Sequence, residues 1–193
     1  MQIVKYPHPT LRHKSKPLAR VDRELTTLVA KMFDLMYEHR GVGLSANQVD
    51  LPYRLFVINI ESDPQQKEAE HVFINPVITS RKGMVEREEG CLSFPDIYAP
   101  VRRPEKITIS AYNLAGEELN YELTGLFARA AQHELDHLDG IVFVDRLSPA
   151  NRLKIKEALS DLEIEFEGDR SRGLIPPDVQ VAARLAELEQ LRT

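Results

Sequence analysis

Between Asp22 and His39 the apolar residues Leu25, Leu28, Val29, Met32, Leu35 and Met36 return at intervals of three and four, the spacing that puts side chains on one face of an α-helix. Asp22 stands in the position of an N-cap and "HRGVG" supplies a stop, so the pattern predicts a helix over 22–39. From about residue 53 the period changes. The runs "YRLFVINI", "HVFINPVI" and "EKITISAY" are β-branched or aromatic and are bounded by Pro, Gly, Asp and Asn; Ile107, Ile109 and Ala111 alternate with polar neighbours. The middle third, about 53 to 123, therefore reads as strands, with "NLAGEEL" at 113–119 as a hairpin connection. Helical character returns after Thr124 and breaks at Gly140. Another amphipathic helix is expected from Pro149, whose ring suits a first turn, to Glu167. Beyond it "DRSRGLIPPD" resembles a linker and "VQVAARLAELEQLR" a short terminal helix, a tail expected to be mobile or to pack on the surface.

The chain has 193 residues, enough for one well-filled core, and shows no internal repeat. The expected division is a main domain over 1–167 and a C-terminal tail over 168–193. A formal charge of -5 gives no general attraction to phosphate backbones or anionic lipid, so neither nucleic acid nor a membrane is an expected partner. The N-terminus lacks an apolar run of signal-peptide length and an Arg- and Ser-rich presequence, which makes the cytoplasm the expected compartment. With one cysteine, Cys91, no internal disulfide can form, as suits a reducing environment.

Residues 132–140, "QHELDHLDG", carry a candidate metal motif. Positions i and i+4 of a helix share a face, so His133 and His137 can offer two imidazoles to one cation. Glu134 points about 100° round the helix from His133, near enough to reach water at the ion without ligating it, and its natural role is proton shuttle. A helix rich in His and Glu near a solvent face can also carry this pattern without function. Two ligands do not hold a divalent ion, and no His follows His137. Glu157, Glu163 and Glu165 are interspersed with Lys154, Lys156, Leu159 and Leu162 and read as a solvated face. Upstream, Cys91 in "REEGCLSFPD" by itself reads as a small buried hydrophobe. Its flanks, Gly90 and Pro95, place it in a loop leaving the strands. One thiolate and two imidazoles make a three-ligand site with a fourth position open, the catalytic form of such a centre.

Three blocks, "GVGLSANQ" at 41–48, "EGCLS" at 89–93 and "QHELDH" at 132–137, stand in an order and at separations that resemble the signature motifs of the peptide deformylases; the likeness covers roughly residues 1 to 165. It implies a metal-dependent hydrolase that removes the formyl group from the N-terminal methionine of newly made polypeptides, releasing formate. It also implies Cys91, His133 and His137 as ligands, Glu134 as acid–base residue, and Gln48 and the Leu92 backbone N–H as donors to the developing oxyanion. Val42, Gly43 and Gly90 would pair their backbones with the substrate as an added strand. Tyr98 stands where some members place a substrate-loop Arg, and Ser45 where Ala is common, a change expected to have little effect. Asp136 is expected to pair with Arg102 or Arg103, the resemblance favouring Arg103. Leu126 and Ala130 are candidates for an apolar methionine pocket, or for ordinary core packing.

The thiolate is compatible with Zn²⁺ or Fe²⁺, and the ligands alone do not choose. The resemblance favours Fe²⁺ in the cell, with Zn²⁺, Ni²⁺ or Co²⁺ able to occupy the place in a purified sample. It implies nascent N-formylmethionyl polypeptides as partners and brings in the ribosome near its exit tunnel, although the last helix here is net acidic where ribosome-docking members carry a basic one. The expected fold is α+β, with antiparallel sheets partly wrapping a central metal-bearing helix and the N-terminal and C-terminal helices outside. Two other functions fit the residues less fully: a general metallopeptidase cleaving internal amides, and a peptide-binding module in which a metal only stabilises the fold.

Overall fold

A computed structural model describes residues 1–193. Helix α1 runs Arg23–Glu38, and the Asp22 side chain accepts from the Leu25 amide at 2.9 Å, taking up one of the free N–H groups at its start. Its inner stripe of Leu25, Val29, Met32, Phe33 and Met36 is buried against the first strands. Strands β1 (Gly43–Ser45), β2 (Leu55–Ile58) and β3 (His71–Lys82) are followed by a hairpin of β4 (Val85–Cys91) and β5 (Phe94–Arg103). β6 (Lys106–Tyr112) and β7 (Glu118–Thr124) then join across the expected turn, where the Glu117 and Asn113 backbones bond. The five-stranded antiparallel sheet has the order β1-β2-β3-β6-β7, and β4-β5 forms a separate two-stranded sheet.

Helix α2 (Gly125–Leu138) lies between the two sheets, and from Ala128 onward every residue is buried. Its small residues Ala128 and Ala131 let it settle against Phe56, Phe73 and Ile109 of the larger sheet. The β4–β5 hairpin packs through Phe94, Ile97 and Val101 on Phe143, Leu159 and Leu162. Sheets wrapped round a central helix, with other helices outside, are what the sequence pattern predicts.

Two boundaries differ. The helix expected from Pro149 to Glu167 is broken at Ile155 into α3 (Pro149–Lys154) and α4 (Lys156–Ser171), because Ile155 leaves helical geometry and packs against the hairpin core. Helix α4 also runs through Gly168. A mid-helix glycine costs about 1 kcal/mol, offset here by burial of Phe166 under the Arg170 guanidinium, 4.7 Å from the ring centroid. The stop is Gly173, at φ +73. The terminal helix α5 (Asp178–Arg192) is packed, with Val181 and Leu185 buried and Arg192 Nη1 2.7 Å from both Asp22 carboxylate oxygens. No helix is long and apolar enough to cross a membrane.

Candidate active site

The helical period does for the two histidines what the spacing predicts: their ring centroids are 5.0 Å apart on one face of α2. Cys91 is the last residue of β4, where a loop was expected. Pairing jumps there from Gly90↔Tyr98 to Cys91↔Phe94, an irregularity of the kind that re-aims a side chain. The sulfur lies 3.3 Å from His137 Nε2, and the donor atoms of Cys91, His133 and His137 all lie within 4.8 Å of one another. An edge of about 3.5 Å is expected for a tetrahedron with metal–sulfur and metal–nitrogen bonds of about 2.3 and 2.1 Å, so the donor set fits a cation. Glu163 and Glu165 are turned elsewhere, to Tyr6 Oη at 2.9 Å and Lys5 Nζ at 3.0 Å.

Electrostatics agree. Burial pulls both imidazoles toward neutrality, and His137 ends well below its ordinary range with repulsion from His133 and Arg103 added. His133 ends well above its own, because bonds to Cys91 and Glu89 outweigh burial.

A buried ionic network holds this arrangement. Glu89 accepts from Arg103 Nε at 2.7 Å, Arg103 Nη2 at 3.0 Å and Arg129 Nη1, and its Oε2 lies 3.2 Å from His133 Nδ1. That bond leaves Nε2 of His133 to the cation. Arg103 also donates to Asp136 at 2.7 Å, and Arg146 grips the same carboxylate at 2.5 Å. The structure therefore places Arg103 against Asp136, tying α2 to β4 and β5. Glu89 and Arg129 were missed by the sequence reading. Their signal was parity: Glu89 stands two residues before Cys91 on a strand, and Arg129 four before His133 on a helix.

Glu134 is buried, and its Oε2 has no hydrogen-bond partner. Burial raises its pKa to about 7 against the pull of His133, Arg103 and the Ser45 hydroxyl. Such a group can both take and give a proton near neutrality. Gln48 sits in a 3-10 turn, Ala46–Val49. Its Oε1 accepts from the Ser45 backbone N at 3.0 Å and from Ser45 Oγ at 3.1 Å. Since a backbone N–H can only donate, the amide orientation is fixed. Nε2 must face Cys91 Sγ, 3.4 Å away, and Ser93 Oγ, 3.3 Å away. Ser45, expected to matter little, aims this amide.

These groups open onto a cleft of about 710 Å³ lined by Gly43, Gln48, Gly90, Cys91, Leu92, His133 and Glu134 among others. The Asn59 amide donates to the Val42 carbonyl at 3.0 Å, in register with the Gly43↔Ile58 pairing. Antiparallel ladders alternate, so the Val42 carbonyl is spent on the sheet while the backbone groups of Gly43 point away from β2, toward the free edge. Of the two residues expected to pair with a peptide on this side, Gly43 has the free groups. Across the cleft a side chain on Gly90 would meet the Tyr98 ring at 2.5 Å, so Tyr98, 61% exposed, lies over that glycine. Ala130 is buried on the cleft wall, and Leu126 stands exposed at its mouth.

A family model described as "Polypeptide deformylase" matches residues 1–153, a span holding all three sequence blocks. The chain belongs to that family. A peptide deformylase of Rhodopirellula baltica is 42% identical over 193 residues, covering 100% of this chain and 96% of the relative. One of Neisseria gonorrhoeae is 46% identical over 159 residues, 82% of this chain and 93% of its own. A crystal structure of Arabidopsis thaliana peptide deformylase 1B superposes with TM-score 0.84 at 42% identity, covering 93% of this chain and 99% of that one. As a deformylase the chain is a metal-dependent enzyme that removes the formyl group from the N-terminal methionine of nascent polypeptides, and the Cys91, His133, His137 cluster is a donor set that could hold such a metal.

Gly43 bears directly on the deformylase geometry. A Cβ there would lie 2.6 Å from Glu134 Oε1, so the carboxylate reaches its position only across a bare backbone. Gly43→Ala is expected to lower turnover at least tenfold with little change in metal content, measured by formate release and metal analysis.

Proposed function

We propose that Glu134 moves the proton in this hydrolysis, that Gln48 Nε2 and the Leu92 backbone N–H receive the charge developing on the formyl oxygen, and that Cys91, His133 and His137 hold the metal. The observation that carries the reading is that three mutually close metal donors, an unpartnered buried carboxylate oxygen and an amide nitrogen of fixed orientation lie together at the cleft, His137 behind its lining and the others within it. A divalent ion there supplies Lewis acidity toward water and the formyl oxygen. The chain supplies the rest. Glu134 accepts a proton from attacking water and passes it to the departing methionine nitrogen as the C–N bond breaks. Gln48, held by Ser45, meets the oxyanion without rearrangement.

In this reading the backbones of Gly43 and Gly90 pair with the incoming peptide on either side, Val42 contributing through groups other than its carbonyl, and Tyr98 borders the residues that follow methionine. Leu126 and Ala130 flank the methionine side chain, Asp136 and Arg103 fix the metal-bearing helix, and Fe²⁺ is the metal in the cell, with Zn²⁺, Ni²⁺ or Co²⁺ able to replace it. The family match within 1–153 supports a catalytic unit inside 1–167, with 168–193 added to it. The protein acts in the cytoplasm on chains leaving the ribosome, and the acidic α4 makes any ribosomal contact different from that of a basic helix.

Anaerobic incubation with formyl-Met-Ala-Ser and with the unformylated peptide, in Fe²⁺ or Ni²⁺, tests this. Formate is expected from the first only; internal cleavage of either would indicate a general peptidase. Gln48→Leu is expected to raise the barrier by about 2.7–4 kcal/mol, seen as a fall in kcat far larger than any rise in KM. Unchanged kcat would remove Gln48 from the reaction.

A further inference from the structure

The turn carrying Gln48 is held from behind by the C-terminal helix, which lies beyond the residues matched by the family model. Asp50, the residue that ends the turn, has φ +64, a left-handed angle that residues bearing side chains seldom adopt. Arg184 of α5 donates through Nη1 to the Asp50 carbonyl at 3.2 Å and pairs with its carboxylate, which also accepts from Thr10 Oγ1 at 2.5 Å. On the other flank of Gln48, Asn47 donates to the carbonyls of Thr10 at 3.3 Å and His13 at 2.7 Å. His13 is itself pinned by Glu189 of α5, Nε2 to Oε1 2.8 Å. Gln48 thus stands between two residues whose anchors end on one helix. Its own carbonyl accepts from the Val4 amide at 2.8 Å, so the N-terminal segment closes the cradle.

We propose that α5 is a positioning element for the deformylation step: through Arg184 and Glu189 it fixes the backbone of Asn47–Asp50 and thereby the aim of the Gln48 amide. The inference rests on Gln48 being an oxyanion donor. Neither Arg184 nor Glu189 touches substrate or metal; they act through the turn. Misplacing a reacting group by about 1 Å can cost about 100-fold, and losing one of several anchors should displace the amide by less.

The test uses the full chain loaded with metal. Arg184→Ala is expected to lower kcat for formyl-Met-Ala-Ser by about 3–10-fold, leave KM within twofold, and speed hydrogen exchange at the amides of Val49 and Asp50. Arg184→Lys, which keeps a cation, should recover most of the loss. Arg192→Ala loosens the far end of α5, at Asp22 and Glu24, and should lower Tm with kcat unchanged. Wild-type kcat in Arg184→Ala overturns the proposal. So does an equal kcat loss in Arg192→Ala at the same Tm, since general loosening would then explain both. If the wild-type chain released no formate, the assignment of activity would have failed instead, and exchange at 49–50 would still decide whether Arg184 braces the turn.

Discussion

Glu134→Gln is expected to keep the fold and the metal and to lower formate release by about 10²–10⁴-fold, the range ascribed to a positioned general acid–base group. Gln has nearly the same shape, and the carboxylate it replaces is buried with Oε2 unpartnered, so the substitution takes away no hydrogen bond at that oxygen. What disappears is the ability to take a proton from water and return it to the amine. A second readout comes from the charge. Burial lifts the Glu134 pKa from 4.5 to about 7, so the folded state disfavours the carboxylate. That penalty is absent below about pH 4.5 and complete above about pH 7. In metal-stripped protein, Glu134→Gln should therefore unfold at a higher Tm than wild type at pH 8, the gap closing toward pH 5. Wild-type formate release by the metal-loaded variant would remove Glu134 from the mechanism.

Much of this site was legible because helices and strands impose periods on sequence. The i, i+4 rule puts His133 and His137 on one face from sequence alone, and Asp22 marks the start of α1. Cys91 was legible only as the sole thiol, supported by its flanks and by family resemblance; no local pattern says that the β4–β5 pairing slips at Gly90 and Cys91. Strand β1 is three residues long, too short to show a period of two, so "GVGLSANQ" did not read as a strand edge. Glu89 and Arg129 failed for another reason. Glu89 lies in a charged run that looks solvated and Arg129 is a lone cation among alanines, and only tertiary packing brings them together with Arg103 inside the protein. Ser45 illustrates the limit of composition: a small residue for a small residue is neutral by size, yet its hydroxyl bonds to Gln48.

Glu89→Gln is expected to be the most destabilising conservative change in the molecule. Glu89 is matched against two buried guanidinium groups and the His133 ring. Neutralising it leaves Arg103 and Arg129 facing each other with Asp136 as the remaining carboxylate, and breaking a buried pair from one side costs about 3–5 kcal/mol. Burial alone would push the Glu89 pKa up, but bonds from His133 and Arg103 bring it down from 4.5 to about 2. A depressed carboxylate stabilises the fold fully above about pH 4.5 and loses that contribution as pH falls toward 2. Denaturant unfolding of metal-free wild type and Glu89→Gln should thus differ widely at pH 7 and by less at pH 3, where the unfolded carboxylate binds a proton that folded Glu89, still largely ionised, does not. A gap of equal size at both pH values would mean that shape, and not charge, is what Glu89 contributes. The same change releases His133 Nδ1 from a carboxylate acceptor, so metal affinity should fall by about 10–100-fold. Equilibrium dialysis at pH 7 reads that loss independently of unfolding.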